Sequence, residues 1–195
     1  MLVLGSRLNE TPVMSLQTGT RLALTSTPII DPTNLKIVAF ELEGPLLQEK
    51  PSFLRVADIR EMSGIGMIID GNDELIGLDD VIKIKKLYEL GFTLIGMNVI
   101  DETNKKLGKV DGYTVETNSF VVEQLNVRHG IFRRITDTGL LINRSQIIEV
   151  TDTTITVKTT AKKLNAVQPV MQAQKREYIN PFRQPAPQTE NIGTE

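Results

Sequence analysis

Arg128, His129, Arg133, Arg134 and Arg144 crowd one stretch of this 195-residue chain, and they are the side chains best placed to do chemistry. A cluster of guanidinium groups could hold phosphate or an acidic protein surface through charge-assisted hydrogen bonds. If Arg133 and Arg134 lie on one strand, alternation sends them to opposite faces, so only part of the group can form one patch. Two readings stand: a solvated hairpin, or a contact site for an anion or RNA. The net charge of −2 and the lack of an exposed aromatic platform for bases favour the first.

His129 is the single histidine and there is no cysteine. That leaves few routes to a transition-metal site and excludes thiolate nucleophiles and disulfides. No serine sits in a G-x-S-x-G setting, so no Ser-His-Asp arrangement announces itself. The stretch GIGMIIDG (64–71) lacks the Lys-Ser/Thr of a phosphate loop and reads as a strand. The adjacent Asp79 and Asp80 read as residues at a helix start. The expectation is a protein that is not an enzyme, with no catalytic residue, no cofactor and no metal.

A second group of candidate residues lies near the C-terminus. In REYINPF, Tyr178, Ile179 and Phe182 are apolar anchors in a Gln-, Asn- and Pro-rich context. From about residue 161 periodicity stops and four prolines interrupt the chain, so residues 161–195 are expected to form a flexible tail. The anchors read either as a tail that folds back or fades out, or as a short motif that docks on a partner.

The elements that must position these groups are written twice. Leu35, Ile37, Ala39 and Leu42 align with Phe120, Val122, Gln124 and Val127 at an offset of 85 residues (35 to 120). Leu54, Ile59, Met62, Met67 and Ile69 align with Ile142, Ile147, Val150, Ile155 and Val157 at an offset of 88 (54 to 142). The period is too long for a solenoid and fits two tandem small domains. Each unit reads as short strands between turn signals such as Asp31-Pro32-Thr33-Asn34 and Thr117-Asn118, which predicts a mainly β chain of two small antiparallel barrels. Between them GLDDVIKIKKLYELGF predicts a short amphipathic connecting helix, capped by Asp79 or Asp80 and ended by Gly91. The organisation is therefore residues 1–78, first barrel; 79–91, helix; 92–160, second barrel; 161–195, tail.

The second unit, LIGMNVIDETNKKLGKVDGYTVETNSFVVEQLNV followed by LLINRSQIIEVTDTTITVK, resembles the PRC-barrel domain family. The shared layout is a K-L-G-K-V turn and strand, an extended strand, then spaced Ile and Val. That family includes the cytoplasmic domain of the photosynthetic reaction-centre H subunit and the C-terminal domain of the bacterial ribosome maturation factor. The first unit departs from the pattern, with Thr18-Gly19-Thr20 standing where the second has Lys106-Leu107-Gly108-Lys109. The resemblance spans most of residues 5 to 160. It implies small β-barrels used for binding and assembly, and it supplies no catalytic residues.

The expected function is binding or scaffolding in protein–protein assembly. One alternative is an RNA- or ribosome-associated maturation factor; another is a membrane-surface adaptor recruited by a membrane partner. No run of about 18 apolar residues is present to cross a membrane. The absence of cysteine and of a signal-peptide pattern leads to the expectation of a cytoplasmic location.

Overall fold

The computed structural model describes residues 1–128, 139–158 and the backbone of 162–163. The chain is mainly β. Its strands are β1 (Leu2–Leu4), β2 (Pro12–Ser15), β3 (Arg21–Asp31), β4 (Lys36–Glu43), β5 (Ser52–Arg55), β6 (Glu61–Ser63), β7 (Gly66–Ile69) and β8 (Leu75–Gly77). The helix α1 (Ile82–Leu90) follows. Then come β9 (Asn98–Asp101), β10 (Lys106–Glu116), β11 (Val121–Arg128), β12 (Leu140–Asn143), β13 (Ile147–Val150), β14 (Thr154–Val157) and β15 (Lys162–Lys163).

The same pairing order occurs in both halves. In the first it is β6-β7-β2-β3-β4-β5-β8, and in the second β13-β14-β9-β10-β11-β12-β15. The β2–β7 and β9–β14 pairs are parallel; the others are antiparallel. β3 and β10 each have eleven residues, and β4 and β11 each have eight; both pairs are offset by 85. β5 and β12, like β7 and β14, are offset by 88. The three extra residues fall between β11 and β12, where a connection tolerates insertion.

Two tandem small antiparallel barrels were expected; the hydrogen bonds run through both halves as one continuous sheet that is not closed, its path ending at β6 and β13. The physical reason lies at two turns. Leu35 and Phe120 each hold left-handed backbone, with φ of 53° and 54°. This conformation is uncommon for side chains larger than Asn. The Ile37 N–H donates to the Phe120 carbonyl and the Val122 N–H donates to the Leu35 carbonyl, both at 2.9 Å. The side chains of Leu35 and Phe120 are buried in one apolar core, together with Leu8, Phe40 and Met67 from the first half and Val99, Leu125 and Ile155 from the second. Apolar residues at turn positions leave water, and the turns come together as they do so.

Helix α1 lies within the expected 79–91 but is shorter. Gly91 ends it in left-handed backbone, as the pattern predicted, and its N–H donates to the Tyr88 carbonyl. The aspartates do not cap it. Val81, whose side chain has no acceptor, is the N-cap residue instead; Asp80 accepts the Gly77 N–H and Asp79 pairs with Lys85. The helix packs on the first half through a separate small cluster of Ile29, Ala39, Phe53 and Ile84, with the Phe53 and Tyr88 rings edge-on at 5.2 Å.

Candidate functional site

Each half begins with a related segment. Leu4-Gly5-Ser6-Arg7-Leu8 has its counterpart in Leu90-Gly91-Phe92-Thr93-Leu94, 86 residues on (4 to 90). Leu8 and Leu94 are both buried. Two residues further, Glu10 and Gly96 both take positive φ. Their N–H groups donate to the carbonyls of Thr25 and Val110, at 2.7 and 2.8 Å. The Thr25 hydroxyl also donates to the Leu8 carbonyl at 2.5 Å. The first segment does not stay with its own half: β1 pairs with β10, in register Leu2 to Glu116 and Leu4 to Thr114.

A cleft of about 390 Å³ opens where the two segments meet the middle of β3 and β10. Its origin is a break in the repeat. Tyr113 on β10 lies against Gly5, so closely that a Cβ added at Gly5 would fall 2.3 Å from the ring. The position matching Tyr113, 85 residues earlier, is Pro28, and a Cβ added at Gly91 would meet nothing within 4 Å. A ring that fills one side has no partner on the other. Ser6 against Phe92 and Asn9 against Ile95 differ in the same way, and all four line the cleft. Leu4, Leu90 and Ile95 stand about half exposed in this region, at 47%, 52% and 52%.

Tyr113 itself is 7% exposed. Burial pushes its phenol up to about 12, so it is protonated at neutral pH and can donate. Asp111 is the charged residue of the lining, and Arg128 pairs with it at 2.8 Å.

Two carboxylates fix the ends of the long strands. Asp31 accepts from the Thr33 N–H and hydroxyl and pairs with Lys83 of α1 at 2.9 Å. Burial pushes its carboxyl up, but the Thr33 and Lys83 hydrogen bonds leave it below the usual range. Glu116, its counterpart, accepts from the Met1 ammonium at 2.9 Å and from Asn118 and Ser119. Those donors, the ammonium foremost, hold it at about 2. Each carboxylate thus organises a turn and also takes a cation from the segment leading into the other half.

The residues singled out from the sequence fare unevenly. Arg128 lies at the end of β11 and is committed to Asp111. Arg144 donates to the Val122 carbonyl at 3.4 Å. His129, Arg133 and Arg134, and the tail residues Tyr178, Ile179 and Phe182, lie outside the described residues. The cleft was missed by sequence reasoning. The signal that could have found it is the Leu-Gly-x-x-Leu pair at the 86-residue offset, followed by the unequal residues Pro28 and Tyr113. Among the described residues there is no group of three or more metal-ligating side chains, and no helix long and apolar enough to cross a membrane.

No protein-family model matches the chain, and no curated protein is similar to it in sequence.

Proposed function

We propose that this chain is a non-enzymatic binding protein, two PRC-barrel-like modules over residues 1–78 and 92–160, that scaffolds protein–protein assembly through the junction between them. The supporting observation is the placement of half-exposed Leu4 and Ile95 beside a cleft that both halves build. Apolar side chains gathered in this way mark an interaction surface more often than they mark catalysis. The ribosome-associated alternative draws less support, since Arg128 and Arg144 are already engaged within the chain. Action as a membrane-surface adaptor would require a partner that is itself in the membrane.

The test is capture from native lysate with three baits at low and high salt. They are the full chain, its Ile95→Asp variant, and a full chain with Tyr178, Ile179 and Phe182 changed to alanine. A discrete protein that survives high salt and is lost with Ile95→Asp supports the proposal. RNA or ribosomal protein that vanishes at high salt would replace it with the ribosome-associated reading. Loss only with the tail variant would move the docking surface from the junction to REYINPF.

A further inference from the structure

We propose that helix α1 pairs with α1 of a second copy of this chain, antiparallel about a two-fold axis at Lys86. The fold leaves two apolar residues of the helix in water: Ile82 is 71% exposed and Leu90 52%. Lys86 and Glu89 are exposed as well. At about 3.6 residues per turn these four lie within an arc of about 100°. Ile84, the buried residue of the helix, lies on the opposite side, against Ile29, Ala39 and Phe53.

A solvated helix face does not account for this stripe. A β-branched residue adds nothing to helix propensity, so Ile82 serves neither the helix nor the core. Burial against another surface gives it a role.

The spacing names the occupant. Ile82 and Leu90 stand equally far from Lys86, four residues before it and four after it. With Lys86 at the axis of an antiparallel pair, Ile82 of each copy meets Leu90 of the other. Lys86 of each copy then lies one turn from Glu89 of the other. Its stem covers apolar surface while its ammonium reaches that carboxylate. Lys83 and Lys85 are held by Asp31 and Asp79, whereas Lys86 and Glu89 have no ion pair among the described residues. The stripe is therefore its own complement in spacing and in charge, as an isologous contact requires. One helix pair is a small interface, so the association is weak and depends on concentration.

The inference goes beyond the scaffold and is separable from it. Leu90 lies beside Ile95 at the junction, so Ile82 is the residue that distinguishes the two surfaces. The measurement is sedimentation equilibrium of the full chain, from low micromolar to several hundred micromolar. The average mass is expected to rise from one copy towards two. Ile82→Asp should weaken association about tenfold or more, since it sets a carboxylate against Leu90. An aspartate at the first helical residue suits the helix, so the loss is not one of helicity. Lys86→Glu and Glu89→Lys should each weaken association about fivefold, and the double reversal should restore it. Thermal melts establish that the variants fold. Ile95→Asp, which tests the scaffold, should leave the dimer in place. A single copy at every concentration, a dimer unchanged by Ile82→Asp, or no rescue by the double reversal would overturn the inference. A dimer lost with Ile95→Asp and kept with Ile82→Asp would place the contact at the junction and overturn it too.

Discussion

Leu35 and Phe120 do the same work in opposite halves: each takes left-handed backbone, buries its side chain, and offers its carbonyl to the N–H two residues beyond the other. The reciprocity is that of an isologous two-fold contact, in which one patch meets its own copy, here within a single chain. A core shared across this seam makes the halves depend on each other for burial of apolar surface.

The seam is expected to couple energetically. Phe40 of the first half and Phe120 of the second meet edge-on, with centroids 6.0 Å apart and planes at 73°. A double-mutant cycle of Phe40→Leu and Phe120→Leu, read by urea denaturation, should return a coupling of about 0.5–1.5 kcal/mol. Strict additivity would mean that the halves are independent neighbours.

Gly5→Ala should destabilise the protein by about 1–3 kcal/mol, the range for forcing extra volume into a packed site. The added methyl would strike the Tyr113 ring at 2.3 Å. In a Tyr113→Leu background most of that penalty should disappear, and chemical denaturation of the four proteins measures it. An equal penalty in both backgrounds would show that Gly5 matters for its backbone and not for the ring.

The Glu116 carboxyl should titrate at about 2, against an ordinary value of 4.5, because the Met1 ammonium and the turn N–H groups bind its charged form. The folded value is depressed, so its contribution to stability is complete above the unfolded value. It is then lost as pH falls from about 4.5 through about 2. Side-chain carbon NMR gives the midpoint. The stability–pH curve of Glu116→Gln should be flatter than that of the wild type in this window; parallel curves would contradict the assignment.

Tyr113 should ionise at about 12, displaced upward by burial. The folded value is raised, so its contribution is intact below the ordinary value near 10 and fades as pH rises from 10 to about 12. Difference absorbance at 295 nm between the wild type and Tyr113→Phe isolates its titration from the other two tyrosines. A midpoint near 10 would mean that the phenol is open to water.

Much of this architecture was legible from apolar spacing. The 85-residue offset pairs Leu35 with Phe120, and the 88-residue offset pairs Met67 with Ile155 and Ile69 with Val157, all of them buried. Strand period and burial are the same fact read at two levels. The continuous sheet was not legible, because a turn written Thr33-Asn34-Leu35 signals a reversal but not which strand edge it will meet. Helix capping misled for a similar reason: Asp80 had a better donor in the Gly77 N–H than in the helix start. The cleft was hidden because it arises from a difference between the repeats, Pro28 against Tyr113, whereas apolar spacing reports only what they share. The arginine and tail candidates fall largely outside the described residues, apart from Arg128 and Arg144.

The most direct test of the junction as the docking surface is hydrogen–deuterium exchange on the full chain with and without its captured partner. Added protection is expected over residues 4–9, 90–95 and 111–113, the three stretches that meet at the cleft. Protection confined to the sheet ends at β6 and β13, or to residues 161–195, would contradict it.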